Sequence, residues 1–185
     1  IPFINAGDGP AQHPTQALID SFAMTHKFGG LDGLNITMTG ALRHSRAARS
    51  LFELLSQFNG ITVTSFTEPQ LQFNDAEIAR FTQDGKNRYI FTDDMKWGGE
   101  QVVYSAGFPP KNASGTFDQE TRDRYRITAD VVDKLQRDAI ILNPLPRIDE
   151  IDTVVDTVSQ AYYFKQNELA LPMRKAVLAR YCLQS

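Results

Sequence analysis

The feature that most constrains the fold is a repeated alternation between short β-branched runs and longer segments of helical spacing. "LNITMTG" (34–40), "GITVTSFTEP" (60–69), "RYIFTDD" (88–94), "QVVYSAG" (101–107) and "AIILNPLPRIDEI" (139–151) read as strands bounded by turn residues. Between them lie "ALRHSRAARSLFELLSQF" (41–58), a loop passing into a helix with Leu51, Leu54, Leu55 and Phe58 on one face, and "NDAEIARFTQDG" (74–85), opened by Asn74 or Asp75 and closed by Gly85. "TADVVDKLQ" (128–136) reads as a short helix with Thr128 as its cap. Helical spacing also runs from Gln16 to His26, and from Asn167 to Leu183 through Leu171, Val177, Leu178 and Tyr181. The polar, breaker-rich stretch 109–122 reads as a long loop. Parallel neighbours need crossover connections, and the crossover helices cover the faces of the sheet. The expected architecture is therefore α/β: a three-layer α/β/α sandwich around a central, mainly parallel, Rossmann-like sheet.

In such sheets ligands bind beyond the carboxyl ends of the strands, so the tips to inspect are Gly40–Arg46, Ser105–Pro110 and Asn143–Arg147. Charge narrows the ligand class. With 19 Lys plus Arg against 22 Asp plus Glu, a net charge of −3 and no long run of one sign, nucleic acid and membrane surfaces have no electrostatic support as partners. No stretch reaches the roughly 18 apolar residues of a membrane span. The single cysteine, Cys182, excludes an internal disulfide and a Cys-rich metal site and points to a reducing compartment, the cytoplasm by default. The opening "IPFIN" reads as a buried strand already under way, so a preceding segment is expected.

Three strings carry candidate chemistry. In "INAGDGPAQHPTQ", His13 and Gln16 are spaced i, i+3 at the mouth of a helix, where side chains and unpaired N–H groups can face a carbonyl oxygen or an anion. For that string alone, a capping arrangement in which Thr15 or His13 satisfies backbone donors is the simpler reading, and Asp8 reads as a turn residue. "GALRHSRAARS" sets Arg43, Arg46 and Arg49 at three-residue intervals around His44 and Ser45. Arg46, nearest the strand end, is the candidate for gripping a carboxylate or phosphate with its planar fork, while Arg49 fits a solvated basic face. In "NPLPR" the prolines keep the chain out of a regular ladder and expose the carbonyls of Leu145 and Pro146; Arg147 can pair with an anion or with the following "DEID".

Taken in order, "INAGDGPAQHPTQALID", "GALRHSRAARSL", "NPLPRIDEI" and "AYYFKQN" resemble the aspartate carbamoyltransferase catalytic chain family, across its C-terminal, amino-acid-binding half. The resemblance implies three parts: residues 1–26 as the end of a carbamoyl phosphate domain and its linking helix, 27–166 as the amino-acid-binding α/β domain, and 167–185 as a helix packing back towards the first domain. It also implies transfer of a carbamoyl group from carbamoyl phosphate to the amine of L-aspartate, in pyrimidine biosynthesis. His13 would hold the carbonyl oxygen, Gln16 and the carbonyls of Leu145 and Pro146 the carbamoyl nitrogen, and Arg46 a carboxylate of the amino acid. No metal or organic cofactor is implied. A homotrimer, assembled through the N-terminal half and joined with other pyrimidine-pathway subunits, is. The family's phosphate-gripping residues belong to that half, so these 185 residues alone are expected to be inactive.

The chain departs from the family pattern where that pattern reads "YMTRVQ" and this chain reads "YSAGFPP": the Arg and Gln of the acceptor motif are replaced, at Ala106 and Phe108. Asn143 stands where a His is expected, and Ala41 turns "GDL" into "GAL". Three readings follow. The acceptor is aspartate with a substitute cation from Arg43, Lys111 or another loop, or it is a different amine with one fewer carboxylate, or the protein is a non-catalytic paralogue kept for assembly or ligand sensing.

Overall fold

The computed structural model describes residues 3–83, 85–109 and 117–182. At its centre lie β1 (Asn35–Thr39), β2 (Thr62–Phe66), β3 (Arg88–Thr92), β4 (Val102–Ser105) and β5 (Ile140–Leu142), in the order β3-β2-β1-β4-β5. Every ladder is parallel, and Ile36 of β1 stands between Val63 and Val102. Each strand is shorter than its β-branched run, because the glycines and prolines at the run ends turn out of the ladder.

The two-residue alternation of the strands divides the core. Ile36, Met38, Val63, Val102, Tyr104, Ile140 and Leu142 face α1 (Pro14–Phe28), α2 (Arg46–Leu55) and α3 (Asp75–Thr82), where Met24, Leu51, Phe52 and Phe81 complete one cluster. Val103 and Ile141 face the opposite layer, built from α5 (Ala129–Val132), the irregular segment around Ile127 and Ile151, and Tyr163 at the start of α6 (Tyr163–Cys182). That second layer is thin. Over β1–β3 it leaves an open groove of about 280 Å³ lined by Thr37, Thr62, Thr64 and Ile90. No helix among the described residues is long and apolar enough to cross a membrane.

Several local readings are corrected. The breaker-rich stretch contains the start of α4 (Gln119–Arg124), whose N-cap Asp118 accepts from the Thr121 N–H at 2.8 Å; residues 110–116, Lys111 among them, lie outside the described residues. Asn74 is the N-cap of α3, in a reciprocal capping box with Glu77, and the helix ends at Thr82 rather than running to Gly85. Thr128 occupies the N-cap of α5, but its side chain makes no capping bond. Helix α6 begins at Tyr163, four positions earlier than the spacing from Asn167 suggested. Its buried stripe is Tyr163, Gln166, Leu169 and Ala170, leaving Leu171, Leu178 and Tyr181 exposed. Residues 3–5 form no strand and Phe3 is 87% exposed, since no strand of the sheet pairs with them.

One buried polar chain crosses the first core. Asp20 of α1, fully buried, accepts at Oδ1 from Gln16 Nε2 (2.8 Å) and from Gln166 Nε2 of α6 (2.6 Å). Gln166 Oε1 in turn accepts the Asn143 N–H at 3.0 Å, at the end of β5. No Lys or Arg among the described residues pairs with Asp20. Burial therefore dominates and pushes its carboxyl up to about 7, against the pull of hydrogen bonding from Gln16 and Gln166 and of the neighbouring Tyr104.

The second constraint is at the strand tips. Gly40 after β1 and Gly107 after β4 both have positive φ (99° and 71°), and the Ala41 N–H donates to Gly107 O at 2.9 Å. A Cβ on Gly40 would stand 2.9 Å from Gly107 O, and one on Gly107 would stand 2.8 Å from Glu150 Oε1. No other residue fits either position without moving backbone or a buried carboxylate.

Two outcomes follow for stability. Gly40→Ala lowers the unfolding free energy in urea by about 1–3 kcal/mol, whereas Gly30→Ala, with nothing within 4 Å of the added carbon, changes it by less than about 0.5 kcal/mol. The second concerns pH. The unfolded Asp20 carboxyl ionises near 3.8 and the folded one near 7, so the stability this group contributes is complete below pH 3.8, falls as pH rises, and is lost above about 7. Asp20→Asn removes that slope, and its stability relative to the parent should rise between pH 4 and 8 by up to about 4 kcal/mol, at 1.36 kcal/mol per pKa unit. Urea titrations across that range that show a constant difference would contradict the assignment.

Candidate active site

The carboxyl ends of β1 and β4 lie at the point where the strand order reverses, with β2 and β3 to one side and β5 to the other. Connections diverge there and open a crevice. A cleft of about 530 Å³ occupies it, lined by His13, Gln16, His44, Arg46, Ala106–Pro109 and Pro144–Pro146. An adjoining cavity of about 580 Å³ shares Gln16 and Pro144–Pro146 and adds Gln166 and Arg174 of α6. The five residues named from sequence, His13, Gln16, Arg46, Leu145 and Pro146, thus meet in one cleft from three separate segments.

The opening loop reaches the cleft because α2 holds it. Asp8 is the expected turn residue: its Oδ1 accepts the Gln12 N–H. Arg49 donates to the carbonyls of Pro10 (3.0 Å), Ala11 (2.8 Å) and Arg43 (2.8 Å) and pairs with Glu77 of α3. Its side chain is only 14% exposed, so the reading of Arg49 as a solvated basic face is wrong; it is the bolt between loop, α2 and α3. Ser50 Oγ receives the His13 N–H at 2.8 Å.

His13 is the N-cap residue of α1, yet neither its side chain nor that of Thr15 makes a capping bond, which excludes the capping reading and leaves the imidazole in the cleft. Burial, then the charges of Arg46 and Arg174, lower its pKa, so the ring is neutral at pH 7. Thr15 Oγ1 lies 3.4 Å from Nδ1, and a hydroxyl donating there puts the ring proton on Nε2. Gln16, with its nitrogen on Asp20, has no protein partner for Oε1 among the described residues.

Arg46 is the first residue of α2, behind the N-cap Ser45, whose Oγ accepts from the Ala48 N–H. Its guanidinium donates to Gly9 O at 2.9 Å and remains exposed, so an anion can be gripped by guanidinium and helix terminus together. On the facing wall Leu145 has φ 48° and a cis peptide to Pro146, and its N–H donates to Asn143 Oδ1 at 2.7 Å. The carbonyls of Pro144, Leu145 and Pro146 accept no hydrogen bond from the described residues.

Asn143 donates to Ser105 O (3.1 Å) and Glu150 Oε1 (2.9 Å), locking this loop to the tip of β4. Arg147 reaches neither an anion nor "DEID": it pairs with Asp156 and donates to Tyr163 Oη at 3.1 Å. That pairing holds the Asp156 carboxyl below its usual range.

Three cleft residues were not assigned a role from sequence. Pro144 offers a carbonyl as open as its neighbours'. Arg174 gives no signal in a helical tail, since only the packing of α6 on α1 brings it near His13. His44 stacks edge-on against Phe117, with centroids 5.4 Å apart, and its position two residues before Arg46 was the available clue. The acceptor-motif comparison also shifts by one: counting "YMTRVQ" from Tyr104 puts the Arg on Gly107 and the Gln on Pro109, not on Ala106 and Phe108. All four line the cleft. Phe108 is buried against Phe117 and Tyr125, with the Arg122 guanidinium 5.3 Å from its ring centre. This wall is apolar.

Known proteins match this arrangement. The family described as "Aspartate/ornithine carbamoyltransferase, Asp/Orn binding domain" matches residues 32–181. The aspartate carbamoyltransferase catalytic subunit of Methanococcus vannielii is 35% identical over 180 residues, covering 97% of this chain and 58% of that protein. The chloroplastic enzyme of Arabidopsis thaliana is 34% identical, covering 96% and 46%. Among solved structures, the catalytic subunit of M. jannaschii aspartate transcarbamoylase is 31% identical with a TM-score of 0.85, covering 96% of this chain and 58% of that one. The Trypanosoma cruzi enzyme in complex with carbamoyl phosphate and aspartate is 28% identical with a TM-score of 0.84, covering 94% and 56%. The chain thus spans about half the length of these relatives. With the fold and the match to the Asp/Orn binding domain over residues 32–181 in agreement, the chain belongs to the aspartate/ornithine carbamoyltransferase family.

Proposed function

We propose that the full-length protein is a carbamoyltransferase that moves the carbamoyl group of carbamoyl phosphate to the amine of L-aspartate, in pyrimidine biosynthesis. The observation that carries this reading is the meeting of His13, Gln16, Arg46 and the open carbonyls of Leu145 and Pro146 in one cleft at the strand-order switch. The activity for which the relatives are named, and the carbamoyl phosphate and aspartate bound by the T. cruzi enzyme, support it.

The amine attacks the carbonyl carbon, a C–N bond forms, the bond to the phosphate oxygen breaks, and the departing phosphate takes up the proton that the amine gives up. Negative charge grows on the carbonyl oxygen, where a neutral His13 presents Nε2–H; a preorganised donor in a partly dry cleft lowers that barrier. The carbamoyl NH₂ has donors only, and it meets acceptors only: Gln16 Oε1 and the carbonyls of Leu145 and Pro146. Arg46 clamps a carboxylate of the incoming amino acid in two places. Holding both reactants in register supplies most of the remainder, with no metal or organic cofactor in the scheme.

We assign residues 1–26 to the end of the carbamoyl phosphate domain and its linking helix, 27–166 to the acceptor domain, and 167–185 to a helix returning to the first domain. In this reading the phosphate-binding residues and the homotrimer contacts belong to the half that this chain does not span, the 185 residues alone do not turn over, and the enzyme works in the cytoplasm. A second reading is favoured by a specific observation. Ala106, Gly107, Phe108 and Pro109 offer the acceptor no charged side chain, and unpaired buried carboxylates are costly, so the acceptor is an amine with one fewer carboxylate. A non-catalytic paralogue has no use for four separated carbamoyl-binding positions in one cleft.

Incubating the full-length protein with labelled carbamoyl phosphate and a panel of amines separates these readings. Turnover with aspartate supports the first, turnover only with a mono-carboxylate or uncharged amine supports the second, and binding without turnover refutes both. With the productive amine, His13→Ala should lower kcat by about 10²–10³-fold while the unfolding midpoint stays within about 2 °C. An unchanged kcat would remove His13 from the carbonyl oxygen.

A further inference from the structure

A buried carboxylate without a cationic partner is expensive, and the Asp20 side chain sits one hydrogen bond from one wall of the cleft and two from the other. Gln16 lies on one wall and the 143–146 loop forms the other, and they are joined through side chains that are all buried: Gln16 (8% exposed), Asp20 (0%), Gln166 (1%) and Asn143 (2%). The orientation of every amide in this chain is determined. The Asn143 backbone N–H can only donate, so Gln166 turns Oε1 towards it and Nε2 towards Asp20. Asp20 Oδ1 accepts there, and Gln16 likewise presents its nitrogen. The Gln16 oxygen is thereby left for the cleft, the orientation that a carbamoyl NH₂ requires. A Gln16 amide turned the other way would set donor against donor.

We propose that Asp20 is a positioning residue: its Oδ1, itself fixed by Gln166, holds the Gln16 amide with nitrogen inward and oxygen towards the carbamoyl group. The proposal rests on the carbamoyl-binding reading of Gln16. Asp20 is retained although its ionised form is disfavoured in the fold, which is the mark of a group kept for what it positions. Asparagine can accept both amides at Oδ1 with no charge to bury; leucine fills the space and accepts nothing.

The test uses the full-length enzyme and its productive amine. Asp20→Leu should lower kcat/KM for carbamoyl phosphate by about 100-fold, and Asp20→Asn should recover it to within about 5-fold of the parent. In a Gln16→Ala background, Asp20→Leu should cost less than about 3-fold more, because the group it positions is already gone. Equal losses in both backgrounds, or a parent-like Asp20→Leu, overturn the proposal. Should Asp20→Leu fail to fold, Gln166→Leu replaces it in the same cycle, with an expected loss of about 10-fold in the parent and less than about 3-fold beside Gln16→Ala. Nitrogen-resolved NMR of the ligand-free protein supplies a readout independent of turnover. The Gln16 side-chain amide protons should exchange slowly and shift in Asp20→Asn, and a freely exchanging Gln16 amide overturns the proposal even if no amine is turned over. Absence of turnover by the parent refutes the carbamoyltransferase reading alone.

Discussion

The close approach of two chain turns, after β1 and after β4, organises the rest of the molecule. Gly40 and Gly107 touch through the bond from the Ala41 N–H to Gly107 O, and Gly107 rests on the buried Glu150 carboxylate. Because neither has a side chain, the two strands can end side by side and their connections can leave in opposite directions. One leads through a short turn into α2 and delivers Arg46; the other runs along the apolar wall of 106–109. Glu150, accepting from Asn143 and from the N–H groups of Ile148 and Asp149, extends the same contact to the end of β5. Three strand tips are thus held as one rigid floor.

The walls standing on that floor differ in character. Around Gln16 stand neutral, directional donors and acceptors: an imidazole whose pKa is lowered by burial and by two arginines, an amide whose nitrogen is held by Asp20, and carbonyls that proline prevents from folding into a ladder. Along residues 106–109 the polar groups are turned away. Arg122 is 1% exposed and spends its charge on Asp149 and on the carbonyl of Pro109, beneath Phe108, instead of facing a ligand. The wall of residues 106–109 is therefore apolar, and the Arg46 guanidinium, tethered to Gly9, is exposed in the same cleft.

The parallel order of strands was legible because β-branched runs and helical spacing recur with connections long enough for crossovers. The cleft residues could be singled out because their strings are specific and lie at strand ends or, for His13 and Gln16, at the mouth of α1. Three readings failed for a shared reason. Arg49, Arg147 and the apolar residues of α6 were judged by their own neighbourhoods in sequence. Their partners come from elsewhere: the carbonyls of Pro10 and Ala11, Asp156 with Tyr163, and the face of α1. Helix α4 was hidden because its six residues are almost wholly polar, and periodicity has nothing to count in such a stretch.

The sequence by itself determined the class of fold, the places where chemistry is to be sought and the family, since these depend on local periodicity, on glycine and proline positions, and on strings of adjacent residues. Only the tertiary structure decided what each polar group faces. The orientation of Gln16, the neutrality of His13, the nearness of Arg174 and the burial of Asp20 all arise where α1, α6 and the end of β5 pack together. Helix α1 lies more than a hundred residues from the other two along the chain. Hydrogen-bond direction and desolvation act over a few ångströms in space, and a linear chain does not record which of its distant parts will share them.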